Sequence, residues 1–426
     1  MNILIDRPAL LTNEKLYIVI EDEYITYVGA DRPDKKYDRV ISGFNKLALP
    51  GLYNNHTHVP MTLFRGYAEN MPLIDWLHKK IFPAEEKLDE NDVYIAAKFA
   101  VAEMIKNGIV SFTDMYNFSD KIAEAVCETG IKANISRAML SFDDEEDYKL
   151  NYRFIEACNL FRDYHNKANG RIKIDMSLHA EYTNKPNFCA YIAEYTKSIG
   201  ARMHIHLSET LGEHNGCIER YGKTPAEFFY GAGIFDVPTV AAHCVFVSDS
   251  DMEILRTMNV SVAHNPVSNL KLGSGIMKLQ TMLDKGINVT FGTDGCASNN
   301  THDILKEMYV ASILHKGIHG NPYIINTNEL FTMATINGAV SQGREACGKI
   351  EAGYKADLIL VDMDNINNIP SYDMGAVIYC IKSGDVCLTM TDGKVLYESG
   401  EFKTLDIERL KYDMRDISAK KYGARN

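Results

Sequence analysis

The chain has 426 residues, 46% of them hydrophobic and 24% charged, with a net charge of −12 at neutral pH. That length suits one large barrel of roughly 250 residues with an appendage, or two to three ordinary domains. The acidic balance argues against a general nucleic-acid or anionic-membrane surface, and no apolar run approaches the ~20 residues that span a bilayer.

The opening MNILIDRPALLTNEK has no basic stretch leading into an apolar core, so no signal peptide is expected. Residues 1–50 read as short strands: LYIVIEDEYITYVG alternates and turns at charged pairs. From Leu52 onward strand-like runs alternate with long helical segments such as DENDVYIAAKFAVAEMIKNG. Eight runs are counted: LALPGL, Ile109–Met115, Ile131–Met139, Ile172–Leu178, Arg202–Ser208, Pro238–Cys244, Val260–Asn265 and Ile287–Thr293. Several follow a glycine, as in KNG-IVSF and ETG-IKAN, the place of a helix C-cap. Near-continuous hydrophobic strands alternating with helices indicate an α/β fold with a parallel sheet covered on both faces. At this count the expected solution is a (β/α)8 TIM-type barrel over residues 51–347. After about Gly348 short strands return in YKADLILVDMD and VCLTMTDGKVLYESGEF. Residues 1–50 and 348–426, the latter ending in a helix, are therefore expected to build one small β-sandwich from both chain ends.

The chain ends its first barrel run on GLYNNHTHVP. In an extended segment His56 and His58 point to the same side and can converge on one atom, as metal-ligating imidazoles do. Alone, H-x-H is a weak signal. The other strand ends strengthen it: His206 lies in the fifth run, His243 in the sixth, His264 at the seventh, and Asp294 follows the eighth. Catalytic groups of such barrels stand at the C-terminal strand ends, so five histidines and an aspartate are expected to face one mouth. H-E-x-x-H, G-x-S-x-G and P-loop signatures are absent. HAE at His179–Glu181 lacks the P-C-x-x-C that a nucleobase deaminase needs. Nine cysteines without a C-x-x-C pair suit free thiols in a reducing compartment, so the expectation is a soluble, cytoplasmic protein.

LPGLYNNHTHVPMTLFRG, HLSET, AAHC, HNPVSNLKLGSG and GTDGCASNN together resemble the amidohydrolase superfamily, in the branch of 5-methylthioadenosine/S-adenosylhomocysteine deaminases and chlorohydrolases. The resemblance implies one divalent metal ion per chain on His56, His58, His206 and Asp294, Zn2+ first, with Fe2+, Ni2+ or Mn2+ as alternatives. Strand four ends in SLHAEY, without the lysine that would bridge a second ion. It further implies that the ion acidifies its water, that Asp294 is the base, that Glu209 protonates the ring nitrogen, and that His243 hydrogen-bonds the attacking oxygen. Glu85 matches a glutamate that binds ribose hydroxyls, and Arg137 and His179 match positions touching the nucleoside. For Glu85 a solvated helix surface is the competing reading. Trp76 either closes over the site or packs, and His264 either lines the pocket or holds a loop.

The implied activity is hydrolytic deamination of an adenosine-type nucleoside: 5-methylthioadenosine, S-adenosylhomocysteine, adenosine or 5'-deoxyadenosine. Alternatives are a hydrolase of another amino- or halo-substituted heterocycle (guanine, a pterin, a triazine) and a non-catalytic barrel relative; the complete ligand and acid–base set speaks against the last. A small-molecule nucleoside, neither nucleic acid nor membrane, is the expected partner, and a homo-oligomer, dimer or tetramer, stays open. One departure stands out. The S-adenosylhomocysteine-using members carry a second arginine about a dozen residues after the first, where this chain has Tyr148 or Lys149 beside the acidic run Asp143–Asp147, with Arg153 further on. That predicts poorer use of a substrate bearing a carboxylate.

Overall fold

The computed structural model describes residues 1–143, 147–373, 375 and 377–424; Asp144, Glu145 and Glu146 of the acidic run lie outside them. Its centre is a parallel sheet with strands in chain order: Leu52–Thr57, Ile109–Tyr116, Lys132–Met139, Met176–Leu178, Met203–Leu207, Thr239–His243, Ser261–His264 and Val289–Phe291. The fourth run is split, Ile172–Ile174 pairing lower on the third strand and Met176–Leu178 higher. Between the eighth strand and the first, side chains and strand ends form the seam. Asn54 Nδ2 donates to Thr293 Oγ1 at 2.7 Å, Thr293 N to Asn54 Oδ1 at 3.0 Å, and Asp294 N to the His56 carbonyl at 2.9 Å. The seam thus brings Asp294 beside His56, although 238 positions separate them in the sequence.

The first run divides at Gly51, which corrects its reading as a single barrel strand. Lys46–Pro50 pairs antiparallel with Leu358–Asp362 in a five-stranded sheet, while Leu52–Thr57 opens the barrel. A four-stranded sheet from Asn2–Asp6, Tyr17–Glu21, Tyr24–Gly29 and Arg39–Ser42 faces that five-stranded sheet, so both chain ends do build the sandwich. Strand alternation gives the shared sheet two apolar faces. Leu358 and Leu360 enter the sandwich core with Ile3, Ile5 and Ile18, whereas Ile359 and Val361 join the barrel core. Gly108 and Gly130 cap helices at φ +80° and +90°, and a Cβ on them would meet Ile359 Cδ1 at 2.9 Å and Leu396 Cδ2 at 2.7 Å. These two positions serve the cap and the docking of the small sheet together.

The terminal helix Ile407–Tyr422 buries Leu410, Met414 and Ile417, one stripe at helical spacing. Its last residue supports the site: Tyr422 Oη donates to the Ala84 carbonyl at 3.1 Å, next to Glu85. No helix among the described residues is long and apolar enough to cross a membrane, and all nine cysteines are free thiols.

Candidate active site

At the C-terminal ends of the strands a cleft of about 650 Å³ opens, lined among others by His58, Trp76, Glu85, His179, His206 and Glu209, with His243 and Asp294 at its floor. His56, His58 and His206 present ring nitrogens within 4.8 Å of one another, and so do His56, His243 and Asp294 as a second set of ligand atoms. Strand parity explains the first set. His204 and His206 face the same side of one strand, and His56 Nδ1 meets His204 Nε2 at 2.9 Å, one layer below the mouth.

The hydrogen-bond partners fix where the lone pairs lie. His58 Nδ1 donates to the Met115 carbonyl at 2.6 Å and His206 Nδ1 to the His179 carbonyl at 2.7 Å, since a carbonyl only accepts. Both Nε2 atoms therefore turn bare lone pairs inward, 3.3 Å apart. Asp294 Oδ1 stands 3.3 Å from His58 Nε2 and 3.5 Å from His56 Nε2, which is buried without a hydrogen bond. A tetrahedral ion with bonds of about 2.0–2.1 Å has ligand–ligand edges of roughly 3.3 Å. The donor set fits a divalent metal ion, and the converging lone pairs and carboxylate call for a cation.

Electrostatics agree. Burial drives the His56 imidazole down to about 3 and holds His58 and His206 below the usual range, so all three are neutral and ready to ligate. For Asp294 burial acts upward, but the neighbouring His56, His58 and His243 outweigh it and keep the group a carboxylate. Its Oδ2 accepts from Ser268 Oγ at 2.6 Å and Ser298 Oγ at 2.8 Å, while Oδ1, which accepts from Gly295 N at 2.7 Å, faces the His56 and His58 rings. Glu209 is displaced upward, chiefly by burial, and its Oε2 lies 3.8 Å from His243 Nε2. Burial acts downward on His243, yet the carboxylates of Glu209 and Asp294 and the bond from Nδ1 to Asn269 Oδ1 at 2.8 Å raise it. Glu209 and His243, both shifted upward, therefore share one wall.

Local backbone departs from the ordinary where these groups emerge. Ser208, His243 and Asp294 take φ values of +48°, +72° and +61° without being glycine. Each such residue costs about 1–3 kcal/mol and persists only where its surroundings over-determine it. In register, His243 pairs with the outward Leu207, and its left-handed φ lets the ring stand 5.2 Å from His56 and 5.6 Å from His206.

Two expected residues lie elsewhere. His264 does not join the mouth, which corrects the count of five histidines there. It shares its strand side with Val262, and its ring stands beside Phe291 and beside His315 of the outer helix Ile304–His319. Arg137 is buried behind the cleft rather than lining it: Nε donates to Glu156 Oε2 at 2.5 Å and Nη1 to Asn117 Oδ1 at 2.6 Å. The arginine that lines the cleft is Arg153, while Lys149 is exposed outside it. Glu85 does line the cleft. It is half-buried, pushed up to about 7 by burial with the Tyr116 hydroxyl partly opposing. Trp76 is buried in the barrel core and lines the cleft. Sequence reasoning passed over His204, Asn269, Ser268 and Ser298; H-I-H in RMHIHLS was the one spacing signal available for any of them.

The chain matches the amidohydrolase family over residues 47–396. A 5-methylthioadenosine/S-adenosylhomocysteine deaminase of Acetivibrio thermocellus is 42% identical, covering 98% of this chain and 99% of that one. A 5'-deoxyadenosine deaminase of Methanosarcina acetivorans is also 42% identical, over 92% of this chain and 90% of its own. Among solved structures, an adenosine deaminase from Xanthomonas campestris with bound zinc superposes with a TM-score of 0.92 at 26% identity, covering 99% of both chains. The chain belongs to the amidohydrolase family.

Proposed function

We propose that this member of the amidohydrolase family hydrolytically deaminates adenosine-type nucleosides, using one divalent ion, zinc, per chain. The observation that carries the reading is the convergence of three neutral imidazoles and Asp294 beside Glu209, with the Glu85 carboxyl elsewhere on the same cleft wall. The relatives' names point to the same class of substrate. His56, His58, His206 and Asp294 would hold the ion, which when bound would polarise and acidify water. Among the described residues no lysine lines the cleft, which supports a single ion.

The protein's own groups do the rest. Glu209, its carboxyl shifted upward chiefly by burial, donates a proton to the purine nitrogen next to the amino-bearing carbon and makes that carbon electrophilic. Asp294 receives a proton from the attacking water, and His243 donates a hydrogen bond to the incoming oxygen as charge develops on it. Water's oxygen ends on the carbon; the proton taken by Asp294 passes to the amino group, which leaves as ammonia, and the hydroxyl proton lost as the carbonyl forms returns to Glu209, replacing the one it gave to the ring nitrogen. Glu85 accepts hydrogen bonds from ribose hydroxyls, and His179 lies against the base. Arg137 acts from behind, orienting Asn117 and the Ala138 carbonyl. Ribose recognition by Glu85 favours a nucleoside over a bare heterocycle.

The deciding experiment is ammonia release from a panel of adenosine-type nucleosides, guanine, a pterin and a triazine, with metal content measured on the same sample. Release from the nucleosides alone, with one ion per chain, is the expected result. Release from a bare heterocycle alone would replace the reading.

A further inference from the structure

Glu213 is the third residue of the helix Leu211–Tyr221, whose N-cap is Thr210; Thr210 Oγ1 accepts from Glu213 N at 3.1 Å. An acid at that position ordinarily returns the favour by accepting from the N-cap peptide N–H. Elsewhere in this chain it does: Glu227 accepts from Thr224 N at 2.9 Å, and Glu329 from Asn326 N at 2.7 Å. Glu213 reaches past the cap instead. Its Oε1 takes Ser208 N at 2.8 Å and its Oε2 takes Glu209 N at 2.7 Å.

Those two peptide groups belong to the turn that leaves the fifth strand just after the ligand His206. Ser208 is left-handed there, and its carbonyl accepts from Val245 N and Phe246 N at 3.0 Å each. The turn is thus gripped on its N–H side by Glu213 and on its carbonyl side by the loop that follows His243. Beyond the turn, among the described residues, the Glu209 carboxyl has a long contact to Ser274 Oγ, 3.3 Å, and the 3.8 Å approach to His243. Its placement over the cleft therefore depends on the backbone that carries it.

We propose that Glu213 is a positioning residue for the reaction: diverted from capping its own helix, its carboxylate clamps the Ser208 and Glu209 peptides and so fixes the Glu209 carboxyl in the cleft. This inference rests on the role given above to Glu209. Such a clamp acts on turnover and leaves the metal ligands in place. An ordinary helix cap acts on stability alone.

The test compares Glu213→Gln, Glu213→Ala and Thr210→Ala in the metal-loaded protein, reading kcat, KM, metal content and Tm. Glu213→Gln keeps one acceptor and should lower kcat on the order of 10- to 100-fold, the worth of a charge-assisted hydrogen bond, with KM and metal content near wild type. Glu213→Ala should lose more, and Thr210→Ala should lower Tm while kcat stays within about twofold, since a cap residue contributes to helix stability. Full kcat in both Glu213 variants, with only a lowered Tm, would overturn the inference. A crystal structure of Glu213→Ala separates this from a failure of the functional reading. A wild-type protein that releases no ammonia from any nucleoside defeats that reading alone. A Glu209 carboxyl unmoved beside His243 in the variant defeats the clamp, whatever the substrate.

Discussion

His58 and His206 face each other through Nε2 atoms 3.3 Å apart, each with its only proton committed to a backbone carbonyl on the far side of the ring. Two lone pairs at that distance, with the Asp294 carboxylate beside them, repel unless a cation sits between them. Metal removal should therefore cost stability as well as activity. A ligand present at a thousandfold its Kd stabilises the fold by about 4 kcal/mol, so chelation should lower Tm, and zinc should restore it. His206→Ala should lose metal and turnover together. Two equivalents of metal in the active wild-type protein would contradict the mononuclear centre.

Glu209 is three residues past His206 but stands outside the candidate ligand groups among the described residues, and it approaches His243. Glu209→Gln should keep the full metal content and lose about 10²- to 10⁴-fold in kcat, the usual worth of a positioned acid. Near-normal turnover in that variant would move the proton donation to another group, with His243 the first to test.

Much of this was legible before any coordinates, and the reasons are periodicities. Eight β/α alternations and the strand-end placement of His56, His58, His206 and Asp294 follow from spacing along one chain. What failed is what spacing cannot carry. His264 ends a strand as His243 does, but only the left-handed residues at 243 and 244 redirect a side chain toward the mouth, and neither is a glycine that would announce them. Arg137 and Arg153 look alike in the sequence; Glu156 and Asn117 decide that the first is spent as support. LALPGL reads as one strand because Pro50–Gly51 passes the chain from one sheet to the next without a polar break.

Glu85 gives a pH dependence with a definite sign. Burial raises its carboxyl to about 7, so the charged form, the better acceptor for two ribose hydroxyls, predominates only above that pH. kcat/KM for a riboside should rise with pH through about 7, and Glu85→Gln should remove that step while lowering efficiency across the range. A 2',3'-dideoxy substrate should show no such step in the wild type. The same inflection persisting in Glu85→Gln would assign the titration to another group.

The cleft wall away from the metal ligands is largely apolar, with Leu73, Ile74, Leu77, Phe82, Leu140 and Phe142. A methylthio or methyl group at the 5' position suits that wall, and a charged amino-acid tail does not, because its desolvation must be matched by specific partners. Of the two residues that could take such a carboxylate, Lys149 is exposed away from the cleft, and Arg153 lines it, its guanidinium 4.5 Å from the centre of the Tyr152 ring. A single arginine supports one bidentate contact. Side-by-side kcat/KM values should therefore rank 5-methylthioadenosine, adenosine and 5'-deoxyadenosine above S-adenosylhomocysteine. Arg153→Ala should lower the value for S-adenosylhomocysteine a further 10- to 100-fold or so, as one charge-assisted hydrogen bond commands, and leave 5-methylthioadenosine within about twofold. Lys149→Ala should change neither. A wild-type preference for S-adenosylhomocysteine that Arg153→Ala abolishes would show that Arg153 alone meets the carboxylate, and would overturn the ranking.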